Sequence, residues 1–248
     1  YTTSDDGLNW NRVPDSNIPV ANTNAFVSFP GMSAFGNSIW VPTVANSPLG
    51  NPRIYKSTDK GLTWSVKEIV LPNASTHQYW LGLAFENETT GILTTAHSSS
   101  TEAIIKKTTD GGNNWFDITK PVNIITANSI CNIPGIAGGY VVAGDVNDGT
   151  AYTLDGGNSW SQLDNKANFL PHFHSATDGW SIEYPSRRID KYIGPPIPLP
   201  VELISFTAQL QDQKVFLYWT TATELNNNGF EIQRRIAESE FATIGFVK

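Results

Sequence analysis

Ser57-Thr58-Asp59-Lys60-Gly61-Leu62-Thr63-Trp64 is one of four versions of the same phrase in this chain. The others are Thr3-Ser4-Asp5-Asp6-Gly7-Leu8-Asn9-Trp10, Thr108-Thr109-Asp110-Gly111-Gly112-Asn113-Asn114-Trp115 and Thr153-Leu154-Asp155-Gly156-Gly157-Asn158-Ser159-Trp160. The shared frame is Ser/Thr-x-Asp-x-Gly-x-x-Trp. Its aspartates lie 54, 51 and 45 residues apart. A fixed phrase returning at such an interval marks a stacked or radial repeat, each copy being one supersecondary unit.

The residue types describe a turn. An Asp side chain accepts hydrogen bonds from backbone N–H groups about two residues further on and locks a tight loop. The hydroxyl of Ser57, Thr108 or Thr153 bonds back to the same loop. Gly7, Gly61, Gly112 and Gly157 allow the positive φ that a hairpin loop often needs. Trp10, Trp64, Trp115 and Trp160 re-enter a strand, where burial of a large ring beside the turn is expected. Strand-like residues precede the phrase, as in Arg53-Ile54-Tyr55-Lys56 and Thr150-Ala151-Tyr152-Thr153. The unit is therefore strand, locked turn, strand, and its aspartates are read as structural.

This phrase resembles the Asp-box, or BNR, repeat of β-propellers. That repeat occurs in sialidases, sortilin-type receptors, xyloglucan-cleaving glycosidases and photosystem-assembly propellers. The resemblance implies an all-β fold of four-stranded blades. It implies no single activity, because such proteins share the turn and not the chemistry.

Period-2 alternation of apolar and polar residues supplies the strands around each turn. Residues 1–19 read as the outer part of a blade. Residues 20–72 form a fuller blade, with Ala25-Phe26-Val27-Ser28-Phe29 as its inner strand. Residues 73–121 and 122–166 repeat the plan. Residues 167–194 open a further blade with no further copy of the turn. A Phe-x-x-x-x-x-Gly phrase, Phe85 to Gly91 and Phe173 to Gly179, suggests a Gly turn between the first two strands. The expectation is an arc of four to five four-stranded blades over 1–194. Pairing of the two ends would instead close a four-bladed ring. The arc is preferred because larger propellers are commoner among the proteins it resembles and Tyr1 already stands in strand context, as if upstream residues were missing.

Residues 195–200, Pro-Pro-Ile-Pro-Leu-Pro, read as a stiff linker. Beyond them, Val201-Glu202-Leu203-Ile204-Ser205-Phe206, Trp219-Thr220-Thr221-Ala222 and Phe230-Glu231-Ile232-Gln233-Arg234 alternate, with an Asn226-Asn227-Asn228-Gly229 turn. The wording of 199–248 resembles the fibronectin-III-like module near the C-terminus of bacterial proteins exported by type IX secretion. Such a module needs about seven strands, so 201–248 is expected to be an incomplete β-sandwich. Secretion or display at the cell surface follows from that resemblance alone.

Bulk properties narrow the function. The net charge is −7 and only 16% of residues are charged, which disfavours nucleic acid and anionic membranes as partners. No apolar run is long enough to span a membrane as a helix. Cys131 is the single cysteine, so no internal disulfide forms, and its alternating strand reads as a buried small hydrophobe. No cofactor or metal site is expected. Asp145-Val146-Asn147-Asp148-Gly149 lacks the remaining ligands of a calcium loop and reads as a plain turn. His172 and His174 fall on one face of a strand, without an evident third metal ligand. Tyr79, Trp80, His172 and His174 are the candidate ligand contacts.

A sialidase-like site needs a cluster of arginines on a carboxylate, a Tyr nucleophile activated by Glu, and an acid/base Asp. Arg12, Arg53, Arg187 and Arg188 do not form such a motif, and no catalytic residue is assigned. The expected function is binding of a glycan or protein ligand on the propeller. A secreted carbohydrate-active hydrolase, with part of its site elsewhere, is the alternative.

Overall fold

Strands here end where Gly, Asn, Asp and Pro gather, and the β-branched and aromatic residues between them pair into successive antiparallel meanders. The fold was read from a computed structural model, which describes residues 1–29, 31–46, 49–97, 103–127, 129–145, 148–183, 185–193, 203–212, 214–221, 229–236 and 240–247. The chain divides into two compact units, Tyr1–Pro195 and Pro196–Lys248.

Among its described residues the first unit is all-β apart from one 3₁₀ turn at Asp15–Asn17. Its first sheet contains β1 (Phe26–Val27), β2 (Ser33–Phe35), β3 (Ser38–Val44), β4 (Arg53–Ser57) and β5 (Ser65–Glu68). The second contains β6 (Tyr79–Phe85), β7 (Gly91–His97), β8 (Ile105–Thr108) and β9 (Phe116–Asp117). The third contains β10 (Ser129–Asn132), β11 (Tyr140–Ala143), β12 (Thr150–Thr153) and β13 (Ser161–Asp164). The fourth contains β14 (Asn168–Phe173), β15 (Gly179–Glu183) and β16 (Arg188–Lys191). Strands pair in chain order, antiparallel throughout, except that β1 and β2 both border β3. Strand β6 packs on β3 and β10, and β10 packs on β14. Consecutive antiparallel sheets laid face to face in this way are the blades of a β-propeller.

The innermost strand of the first blade is broken, where the sequence suggested one run. Residues between β1 and β2 turn away to bond the second blade. The Ser28 hydroxyl donates to the Leu81 carbonyl at 3.0 Å and accepts from the Leu81 N–H at 2.8 Å. Gly31 lies so close that a Cβ on it would meet the Leu81 carbonyl oxygen at 2.1 Å.

The apolar core sits between blades. Trp40 and Ile54 of the first meet Leu81, Leu83, Phe85 and Leu93 of the second. Ala84, Ile92 and Ile105 of the second meet Ile130 and Tyr140 of the third. Gly91 and Gly179 are not turn residues, contrary to the sequence reading. Each begins a second strand and pairs directly with its phenylalanine, Phe85 or Phe173. The ring lies across the pair, and a Cβ on either glycine would come within 2.7 Å of it.

The second unit contains two hairpins, β17 (Leu203–Gln211) with β18 (Lys214–Thr221) and β19 (Phe230–Arg234) with β20 (Ala242–Val247). Trp219 and Phe230 bring rings from the two hairpins to 5.4 Å between centroids. Ile204, Phe206, Leu210, Val215 and Phe246 are exposed. The proline-rich stretch 195–200 and Asn226, Asn227 and Asn228 lie outside the described residues.

Candidate functional site

Each turn is closed by one repeated network. The hydroxyl of Thr3, Ser57, Thr108 or Thr153 donates to its Asp at 2.8–2.9 Å. The same oxygen accepts the N–H of Gly7, Gly61, Gly112 or Gly157 at 2.8–3.0 Å. The Asp Oδ1 accepts the N–H of the residue four further on, Asn9, Thr63, Asn114 or Ser159. Its Oδ2 accepts from the side chain of that same residue. The span is thus four residues and not the two suggested by simple Asx-turn logic. Two consecutive left-handed residues make the longer span possible. Gly61 has φ +87° after Lys60 at +59°, and Gly112 has φ +92° after Gly111 at +72°.

Both carboxylate oxygens of every turn aspartate are therefore engaged inside their own loop. The Asn9 side chain, then its N–H, holds Asp5 down to about 2. The Thr63 hydroxyl does the same for Asp59, and the Asn114 N–H for Asp110. For Asp155 burial pulls upward, and the Ser159 hydroxyl and N–H overcome it, leaving about 2. A carboxylate held so far from neutral pH is a poor general acid or base.

The tryptophans depart from the sequence expectation of burial. Trp64, Trp115 and Trp160 are half-buried, and Trp10 is 60% exposed. Three indoles donate to their own turn, at Gly7, Gly61 and Gly112. Trp160 instead reaches the Thr119 carbonyl at 2.7 Å, and at its Gly157 the nearest side chain is that of Ile118.

A hollow of about 320 Å³ lies where the inner strands of all four blades meet. Met32 and Ser33, Leu83, Ile130 and Asn132, and Leu170 with His172 supply one patch from each blade. Strand β14 is bulged there, with its register shifting between Phe169 and His172. Leu170 has φ +55°, and its N–H donates to the Ser129 hydroxyl at 3.2 Å. A bulky residue in the left-handed region is a genuine outlier. Cys131 also lines the hollow, half-buried, and burial pushes its thiol up to about 12. It is a thiol at neutral pH and not a nucleophile.

The four candidate contacts do not share one place. His172 is exposed and lines the hollow, whereas His174 follows the end of β14 and its N–H bonds the Asp178 carbonyl. Tyr79 is a core residue whose hydroxyl donates to the Pro72 carbonyl at 2.7 Å. Trp80 is half-buried next to it, on the other face of β6. The sequence offered no sign of Leu170 or Ser129, since a bulge leaves no mark in an apolar run.

Other polar groups are committed to structure. Arg12 pairs with Asp15 at 2.8 Å, Arg188 with Glu183, and Arg53 reaches the Val20 carbonyl. The Asp148 carboxylate accepts from the N–H groups of Ile125 and Thr126 and from the Thr126 hydroxyl. Among the described residues, no group of three His, Cys, Asp or Glu is placed to hold a metal ion. Tyr140 has Glu86 nearby but is fully buried; burial first, then the Glu86 charge, pushes its phenol upward. That is the reverse of an activated nucleophile. Among the described residues, no helix is long and apolar enough to cross a membrane.

The fold and the hollow together define a β-propeller protein. No family model matches the sequence, and no curated protein matches it. Solved structures are similar to parts of this chain. One is YCF48 bound to D1 peptide, 18% identical, with a TM-score of 0.43 over 70% of this chain and 58% of that one. Another is the GH74 enzyme of Niastella koreensis, 14% identical, with a TM-score of 0.42 over 71% of this chain and 31% of that one. YCF48 from Cyanidioschyzon merolae is 10% identical, with a TM-score of 0.39 over 90% of this chain and 75% of that one. The chain spans less than two thirds of the first two.

Proposed function

We propose that this chain is a binding protein whose propeller blades carry a ligand site in the hollow between the inner strands, and that its four turns are Asp-box repeats serving as scaffold. The observation that carries the reading is Leu170. Its left-handed backbone costs of order 1–3 kcal/mol, and such strain gathers at ligand sites. Here it turns Leu170 and His172 into the hollow. Met32 and Leu170 offer apolar surface, while Asn132 and His172 offer polar groups that fix orientation. This mixture suits a peptide segment of a protein, and a glycan is the other ligand class. The C-terminal hairpins we read as part of a fibronectin-III-like module of an exported protein, which would place the chain outside the cell or on its surface.

Peptide and glycan arrays probed with the chain test the binding reading. His172→Ala and Asn132→Ala should each weaken capture by about tenfold, the effect of one lost hydrogen bond of about 1.4 kcal/mol, while circular dichroism stays unchanged. Turnover of a sialoside or β-glucan, abolished by changing one carboxylate in a folded protein, would overturn the reading in favour of a hydrolase. Recovery of the protein only in the cytoplasm of its producing cell would contradict the placement.

A further inference from the structure

The outer mouths of two neighbouring joints differ, although the same repeat builds both. At the joint between the second and third blades, Ile118 stands three residues after the turn tryptophan Trp115. It packs against the cluster of Ile92, Ile105 and Tyr140, as does Trp160 of the next blade. Ala151, two residues before Thr153, lies under the same Trp160 and is 1% exposed. Apolar residues seal this mouth.

At the joint between the first and second blades both of those places carry lysine. Lys67 stands three residues after Trp64, and Lys106 stands two before Thr108. Lys67 lies opposite Ile54 across β4 and β5, and Lys106 lies opposite Leu93 across β7 and β8. Directly paired residues share a face of their sheet. Ile54 and Leu93 both belong to the core between these two blades. The lysines therefore stand on facing walls, one from each blade. Between them is a cleft of about 280 Å³, with Ile69, Asn113 and Trp115 also in its lining.

The charges of the cleft do not balance. Lys106, with only 14% of its side chain exposed, donates to Asp117 at 2.6 Å. Glu68 accepts from the Asn51 amide and stands opposite Arg53, on the other face of β5. Lys67 has no ionic or hydrogen-bonded partner among the described residues. A cation placed where the neighbouring repeat has a packed isoleucine forgoes that seal, and departures of this kind gather at functional sites. Trp115 is half-buried, with its indole N–H on the Gly112 carbonyl and its ring edge-on to Phe85. The Asn113 amide nitrogen donates to the Asp110 carbonyl, which leaves its Oδ1 to accept.

We propose that this cleft binds an acidic sugar, a hexuronate residue of a polysaccharide, with its carboxylate on the Lys67 ammonium. Charge-assisted hydrogen bonds of that kind are the strong ones. The Lys106 ammonium on the opposite wall adds to the positive field. Trp115 offers an apolar ring for the C–H face of the sugar, and Asn113 Oδ1 accepts from a hydroxyl. The cleft lies near the lower end of ligand-site volumes, so it takes one ring and not a folded segment of a partner. A neutral sugar would leave Lys67 unpaired. The cleft shares no residue with the hollow between the inner strands, so either can bind without the other.

The test is an array of hexuronate oligosaccharides, their neutral counterparts and a poly-glutamate peptide, probed with the whole 248-residue chain. Capture of a hexuronate oligosaccharide in preference to the neutral sugars and the peptide is expected. Calorimetry with the captured oligosaccharide then gives its affinity. Lys67→Gln should weaken that affinity by about tenfold, the effect of one lost charge-assisted hydrogen bond, and Lys67→Arg should largely keep it. Lys67→Ile, which copies Ile118 of the next joint, should abolish binding without lowering the melting temperature. His172→Ala should leave the affinity unchanged. Absence of capture of any hexuronate would overturn the proposal, as would equal capture of the neutral sugars or the peptide. So would an affinity indifferent to Lys67→Gln, or one lost in His172→Ala, which would move the sugar to the inner hollow.

Discussion

Trp40 lies flat on Phe85, ring on ring at 3.6 Å, and the two residues come from different blades. Their contact lies in the apolar core that joins the first blade to the second. Trp40→Ala should lower stability by about 3–5 kcal/mol, the usual cost of emptying a large buried aromatic site. Trp180 is paired with Lys191 across β15 and β16 as Trp40 is with Lys56 across β3 and β4, but it is 40% exposed, and Trp180→Ala should cost a small fraction of that. Urea denaturation at low protein concentration separates the two.

Gly91 and Gly179 leave room for Phe85 and Phe173. A methyl group at either position would meet the ring at 2.7 Å. Gly91→Ala and Gly179→Ala should each destabilise by about 1–3 kcal/mol through overpacking. A pair of variants with unchanged denaturation midpoints would show that the rings have space to move.

The repeat was legible because its chemistry is local. A hydroxyl, a carboxylate and two left-handed residues within eight positions fix one loop, so the phrase announces the turn wherever it occurs. The strands followed from alternation. Contacts between blades were not legible. Nothing in the sequence marks that Gly91 lies under Phe85, that Ser28 leaves its strand to bond Leu81, or that Trp160 abandons its own turn for Thr119. The hollow was hidden for the same reason. His172 was visible as a polar residue in a strand, whereas Leu170 is informative only through its backbone angle.

Acid should loosen the turns in a defined window. Asp5, Asp59, Asp110 and Asp155 are held at about 2 in the folded chain, below the ordinary value of 3.8. A depressed folded value means that the unfolded chain takes up protons first. Their contribution is complete above about pH 4 and falls away as pH drops from there through about 2. Melting temperatures measured from pH 5 to pH 2 should decline steepest in that interval. Replacing Asp110 and Asp155 by Asn should flatten the decline. An unchanged slope would mean that other carboxylates set the acid limit.

The claim at the centre of this account is that the turn aspartates hold the scaffold while recognition lies elsewhere. Thermal melts and array binding of Asp59→Ala, Asp110→Ala and Asp155→Ala, compared with the parent chain, test it most directly. Each variant should melt at a lower temperature than the parent chain, because each removes the acceptor that closes its turn. Each should bind as the parent does at temperatures where it remains folded. Unchanged melting with loss of binding, or of a measured turnover, would contradict the account and make these carboxylates the site itself.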